Sequence, residues 1–397
     1  MDPLAHTLVG ATLAESPLAS KSGRRIPLAT ATLLIAANLP DVDGLLYLLG
    51  PDVGLAHRRG WTHGVLAMAV LPLLLTAGVL AWDVWIRRRR HPDRPTAPPR
   101  TILGLAYLAM LTHPALDWLN TYGIRLLMPF DGRWFYGDSL FILDPWVWLL
   151  LGGTVFVLRA PHGRELGLWI AVAVLTSAAV LLAPAPPGLD PTVPRVVWVT
   201  GLAAIALLAA GRPSSGGRRR RRERPASPGA TRALAVLGVY VLVTVLSTLV
   251  ARALVLDALE RRGLTVREPS RDLMVGPLPY NPFVRDVVAR VGDAYRVGRF
   301  YWLPTPRLKL TDTLPLPPPS PALTAARSAS CVQGFLTWVR FPYAQVETGI
   351  REGSGNGEST GPGTTVYLLD VRYTRRPTSG FGGAVVTLGE DGEPICR

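Results

Sequence analysis

The chain has 397 residues, 49% of them hydrophobic, with 42 Lys and Arg against 28 Asp and Glu for a formal net charge of +14. Its apolar residues come in long blocks rather than alternating patterns, which points to a membrane. The arginines concentrate in short loops between those blocks, where they set topology, and this argues against the nucleic-acid partner that such a charge would suggest in a soluble protein.

The opening MDPLAHTLVGATLAE lacks the basic leader and small-residue cleavage site of a signal peptide, so it is expected to stay on the mature protein. Residues 3–19 form a short apolar stretch that either spans or dips into the outer leaflet as a half-helix. Apolar segments that meet the roughly 20 residues needed to cross hydrocarbon follow near 28–49, 62–86, 101–119, 140–158, 166–183, 194–210 and 232–256. The predicted class is therefore mainly α, a polytopic bundle of seven or eight transmembrane helices. Between the segments lie KSGRR at 21–25, RRRRHPDRP at 87–95, RAPHGRE at 159–165 and RRRRRERP at 218–225, alternating with arginine-poorer loops at 50–61, 120–139 and 184–193. Under the positive-inside rule the basic loops are cytoplasmic, and the other loops face outward with everything after about residue 257.

Segment 211–230, rich in Gly, Ser, Pro and Arg, reads as a flexible cytoplasmic linker. After residue 257 the composition changes to Pro-rich turns and short alternating runs, TTVYLLDVRY at 364–373 and GGAVVTLGE at 382–390, which read as strands. SCVQGFLTWVRFPYAQVE at 330–347 reads as a further, half-buried strand, and 352–364 as a mobile loop. Three regions result: a helical membrane domain carrying the metal ligands at 1–160, additional transmembrane helices at 161–256, and a small β-rich extracytoplasmic domain at 257–397. Both cysteines, Cys331 and Cys396, fall in the last region; a disulfide and two free thiols are equally compatible with their spacing.

Topology sorts the six histidines. His6, His57, His63 and His113 fall near outer segment ends, whereas His91 and His162 fall in inner basic loops. Asp41, Asp43, Asp117, Asp138 and Asp144 share the outer level. Acidic and imidazole groups near hydrocarbon are costly unless they pair or bind a cation, so their collection at one depth implies a metal. In HPALD, His113 and Asp117 stand four residues apart on one helical face, with Pro114 marking a kink or restart. In HRRGWTH, Gly60 permits a tight turn and Thr62 can cap a helix whose first turn holds His63, while His57 reaches in from the loop. In PDVD, both carboxylates could ligate, or one could ligate while the other orients a histidine. Imidazole with carboxylate and no thiolate suits Zn²⁺, Mn²⁺ or Fe²⁺, in a number that spacing does not fix.

Taken together, HTLVG from His6, LPDVD at 39–43, HRRGWTH at 57–63, HPALD at 113–117 and FYGDSLFILDP at 135–145 resemble the membrane-bound, metal-dependent hydrolases related to the bacterial inner-membrane protein YdjM, over about residues 1–160. That family is in turn similar to zinc-dependent phospholipase C and nuclease P1. The resemblance implies an α-helical zinc centre in the bacterial cytoplasmic membrane that cleaves phosphoesters. It maps ligands onto His6, Asp41, His57, His63, His113 and Asp117, with Asp144 added to the set. Asp43 and Asp138 become candidates to accept the proton of a metal-activated water. Arg58 and Arg59 are placed to hold an anionic phosphate, the alternative being headgroup contact. The expected substrate is a membrane lipid or lipid-linked phosphoester. The competing classes are a metal transporter or sensor, whose sites lie nearer the midplane, and a non-catalytic scaffold.

Overall fold

The computed structural model describes residues 1–22, 24–159, 161–183, 189–211, 227–279, 281–351 and 360–396. The chain divides into two compact units. Met1–Val42, Arg59–Val250 and Gly276–Val284 form the first, and Asp43–Arg58, Ala251–Val275 and Arg285–Arg397 form the second. In chain order the longer helices are α1 (Pro3–Glu15), α2 (Ala29–Asn38), α3 (Pro51–His57), α4 (Val65–Trp82), α5 (Pro99–Trp118), α6 (Pro145–Arg159), α7 (Arg164–Leu181), α8 (Thr192–Ala210) and α9 (Pro228–Glu260). All belong to the first unit except α3 and the last turns of α9.

Two of these helices start with the same device. Asp2 caps α1 by accepting the Ala5 N–H, with Pro3 in the first turn, and Asp144 caps α6 by accepting the N–H groups of Trp146 and Val147, with Pro145 in the first turn. Five helical stretches are long and apolar enough to cross a membrane: Ala29–Leu49, Val65–Arg90, Arg164–Leu181, Thr192–Ala210 and Pro228–Glu260. Their outward faces carry Leu74, Leu175, Leu207 and Val239 in the open, so they are apolar all round, as helices in lipid are. This is a membrane protein. The spans expected at 101–119 and 140–158 are α5 and the shorter α6, so five of the seven or eight anticipated crossings meet the criterion among the described residues.

The core of the first unit is built where α1, α2 and α5 meet, around Ala5, Leu33, Ala37, Ala109 and Met110. Gly10 makes the closest approach: a Cβ there would come within 2.8 Å of the Leu33 carbonyl oxygen and 3.0 Å of Ala37 Cβ, so α1 and α2 lie backbone against backbone. At the far end of α1, Glu15 accepts hydrogen bonds from Arg25 and, at 2.8 Å, from Arg159.

The second unit contains two four-stranded sheets. One has strands Leu273–Pro277, Val284–Val291, Ala294–Tyr301 and Arg307–Pro315 in sequential order, and the other joins Pro342–Arg351, Thr360–Asp370, Gly383–Leu388 and Pro394–Ile395. The last turns of α9 bury Ala251, Val255 and Leu259 against Val287 and Phe300 of the first sheet. Cys331 and Cys396 are joined in a disulfide. The expected strands at 364–373 and 382–390 are present, but 330–347 is a strand only from Pro342. Its first part is a short helix, Gln333–Trp338, because Asp52 accepts the N–H groups of Gly334 (2.7 Å) and Phe335 (3.2 Å) and so caps the first turn. Of the expected flexible segments, residues 212–226 of the linker and 352–359 of the loop lie outside the described residues, while 360–364 belong to a strand.

Candidate metal centre

One donor atom each from Asp41, His63, His113 and Asp117 lies within 4.8 Å of the others. Three helix ends bring them together. His113 and Asp117 occupy the last turns of α5, which runs unbroken through Pro114, and both are fully buried. His63 sits just ahead of α4, which begins only at Val65. Thr62 therefore does not cap the helix; its hydroxyl lies 3.0 Å from His63 Nδ1. Asp41 comes from the 3₁₀ turn Leu39–Leu49 that continues α2.

The donors face one another in pairs that only a cation or a proton could reconcile. His113 Nδ1 lies 2.7 Å from the carbonyl oxygen of Ala37, an acceptor only, so Nδ1 carries the proton and Nε2 presents its lone pair to the cluster. Ala37 is available because a 3₁₀ pattern would pair its carbonyl with residue 40, and Pro40 has no N–H. His113 Nε2 is 3.2 Å from His63 Nε2, 3.4 Å from Asp41 Oδ1 and 3.5 Å from Asp117 Oδ2. His63 Nε2 is in turn 3.4 Å from Asp117 Oδ2 and 3.7 Å from Asp41 Oδ1. These are five of the six edges of a tetrahedron. These five separations, 3.2–3.7 Å, are those of N and O donors that share one first-row divalent ion, and the sixth, Asp41 to Asp117, is within 4.8 Å. The residues present thus fit a metal.

A second layer holds Asp117. Arg59 Nε lies 3.0 Å from its Oδ2, and His6 Nε2 lies 3.2 Å from its Oδ1, where the Met1 amine also makes contact. The His6 ring stacks on His113 with centroids 3.6 Å apart, and its buried Nδ1 has no hydrogen-bond partner among the described residues. Arg59 has a positive φ of 53° that turns its side chain inward. There its Nη1 donates to Asn120 Oδ1 at 2.8 Å, and its guanidinium lies 4.6 Å from the centre of the Tyr122 ring. Buried and engaged in this way, Arg59 positions a ligand carboxylate, where a phosphate contact had been expected.

Not every anticipated residue joins the four donors. His57 is outside the group; its Nδ1 lies 3.0 Å from the Val53 carbonyl one helical turn back in α3. Asp43 is paired with Arg58. Asp144 caps α6 and accepts the Tyr240 hydroxyl at 2.8 Å. Asp138 is buried at a positive φ of 48°, with its carbonyl accepting from Thr248 at 3.3 Å. Sequence reasoning missed Asn120, which accepts both the Arg59 guanidinium and the Tyr122 N–H (2.9 Å); its place three residues after Asp117 was the available signal.

The fold and these donors define a helical membrane protein with a buried Asp/His/His/Asp group that could hold a metal ion. Residues 1–185 match the family described as YdjM inner membrane protein, the one its motifs resemble. The chain is also similar to the "Uncharacterized protein YfhP" of Bacillus subtilis (strain 168), with 27% identity over 116 residues, 29% of this chain and 32% of that protein. The match thus spans about a third of the relative's length. No solved structure matches the chain.

Proposed function

We propose that this protein is a membrane-bound, divalent-metal-dependent hydrolase acting on a phosphoester of a lipid or lipid-linked substrate, with Zn²⁺ as the preferred ion and Mn²⁺ or Fe²⁺ as alternatives. The observation that carries the reading is the close-set group Asp41, His63, His113 and Asp117 at one end of the apolar helix bundle. A divalent ion there supplies Lewis-acid polarisation of a phosphoryl oxygen and activation of water near neutral pH. The residues do the rest. The Ala37 carbonyl fixes the His113 tautomer, Arg59 and His6 hold Asp117 in one rotamer, and Asp41 lies 9% exposed, at the more accessible side of the set. The likeness to phospholipase C and nuclease P1 belongs to this proposal.

The extracytoplasmic side is favoured for two reasons. The donors cluster at the C-terminal ends of α2 and α5 and ahead of the N-terminal end of α4, which is one end of an up-down bundle. Arg25, Arg87 to Arg90, Arg100 and Arg159 belong to the opposite ends of those helices and their neighbours, which the positive-inside rule places in the cytoplasm. The Cys331–Cys396 disulfide in the second unit suits an oxidising compartment. The test is direct. Full-length protein purified in detergent is assayed on a chromogenic phosphodiester and on fluorescent phospholipids, with and without chelator. Metal-restored turnover is the expected result. Stoichiometric metal without turnover on any phosphoester would replace the enzyme by a sensor or transporter.

A further inference from the structure

A cavity of about 220 Å³ opens among α1, α6, α7 and α8, lined by Leu4, Leu8, Phe156, Trp169, Ile170 and Ile205 among others. Its walls offer almost no hydrogen-bonding group. The hydroxyl of Thr176 is turned back onto the Val172 carbonyl at 2.8 Å, and the Trp198 indole N–H donates to Ser177 at 3.1 Å. An unsatisfied polar ligand would lose its hydration there without replacement, so hydrocarbon is the chemistry that fits.

Three features indicate that the space is built rather than left over. Trp148–Gly152 in α6 is a widened π turn, a departure from helical geometry that costs hydrogen-bond quality and is characteristic of functional positions. Gly153 and Gly201 let α6 and α8 close tightly beside it: a Cβ at Gly153 would come within 2.6 Å of Ile205, and one at Gly201 within 3.1 Å of Leu149. At Gly152, by contrast, a Cβ would meet only ordinary contacts, 3.6 Å to Leu8 and 4.0 Å to Trp169, so this glycine leaves room between those two side chains.

The surroundings name the occupant. Ile170 lines the cavity yet is 55% exposed, so the cavity opens on the outer face of α7. Val174, one turn on from Ile170 along α7, is 61% exposed, and Leu175 (70%) and Leu207 (73%) also lie in the open on α7 and α8, helices that qualify as membrane spans. The opening is therefore continuous with the bilayer interior. We infer that the cavity is a lateral binding site for one acyl chain of a membrane glycerophospholipid. It also adjoins the metal centre through a single helix. Leu4 and Leu8 stand one turn apart on the face of α1 that lines the cavity, whereas His6, two residues from each, points to the opposite side and touches Asp117. A chain seated in the cavity bears on the helix that carries His6.

The inference does not rest on hydrolysis, and its test is read without turnover. Full-length protein in nanodiscs of phosphatidylethanolamine and phosphatidylglycerol receives a trace of phosphatidylcholine with a diazirine midway along one acyl chain. Cross-linked residues are mapped after illumination. Label is expected on Leu8, Phe156 and Trp169, and it is expected to saturate with lipid, unlike label on Leu175 and Leu207. Gly152→Leu fills the gap and should reduce cavity label roughly tenfold or more while leaving Leu175 and Leu207 unchanged. Ala173→Phe blocks the same space from α7 and serves if Gly152→Leu does not fold. Label that is no stronger in the cavity than on the outer faces, or that either folded variant leaves intact, would overturn the assignment. His113→Ala should label as the wild type does, which keeps this result separate from the fate of the hydrolase.

Discussion

Asp117 in the helical unit and Asp370 in the β-rich unit are both fully buried carboxylates next to an arginine, and the difference between them separates a structural ion pair from a group that could hold a metal ion. Asp370 is surrounded by groups whose protons are permanent. Arg372 reaches it through Nε and Nη2 at 2.6–3.0 Å, and the N–H groups of Arg340 (2.9 Å) and Arg372 (3.0 Å) complete the set. Nothing is left for an ion to do. Asp117 holds the Met1 amine and His6 Nε2 on Oδ1, but on Oδ2 it has one such partner, Arg59, and there faces the ring nitrogens of His63 and His113, which carry a proton only when pH or tautomer supplies one. A cation satisfies that arrangement at neutral pH.

The contrast breaks most visibly under paired substitutions. Asp370→Ala strands a buried guanidinium and is expected to lower the stability of the β-rich unit by about 3–5 kcal/mol, seen in thermal unfolding, with metal content unchanged. Asp117→Asn keeps the shape and a partner for Arg59, so the fold should survive, while metal retained after dialysis falls by more than about 100-fold, measured by elemental analysis. If Asp117→Asn kept its metal, the two aspartates would be alike and the centre would not exist. Acid sharpens the comparison next. An imidazole nitrogen that ligates an ion cannot also hold a proton, so acid competes with the metal and affinity should fall as the pH is lowered. A titration monitored by isothermal calorimetry between neutral pH and pH 5 reads this slope. The smallest effect belongs to Thr62→Ala, which removes the hydroxyl beside His63 Nδ1; a loss of about tenfold in metal affinity, with activity following, is expected.

Much of the centre was legible because helical spacing is rigid. His113 and Asp117 share a face by arithmetic alone, and helix α5 carries them as predicted despite Pro114. Where the backbone departs from regular geometry, the letters were ambiguous. PDVD left two carboxylates open, and the 3₁₀ turn sends Asp41 to the cluster while Asp43 pairs with Arg58. Arg58 and Arg59 read alike in the sequence, yet Arg59 adopts a positive φ, a conformation rare for an arginine, and turns into the core. The helix at 333–338 was hidden for a related reason: its cap, Asp52, lies 281 positions before Gln333 and no local pattern points to it. Apolar block length predicted the five stretches that qualify as membrane spans among the described residues, since hydrocarbon thickness is the same for every segment, but not α6, whose shortness reflects its capping aspartate and widened turn.

The Ala37 carbonyl carries one last implication. The acceptor that sets the His113 tautomer is a main-chain atom, released by a proline three positions later, so no substitution of residue 37 itself can delete it. Transplanting this centre into another scaffold would mean copying the way one helix ends as well as four side chains. A designer who kept the ligands but regularised that helix end would leave the imidazole free to rotate and to protonate on the wrong nitrogen.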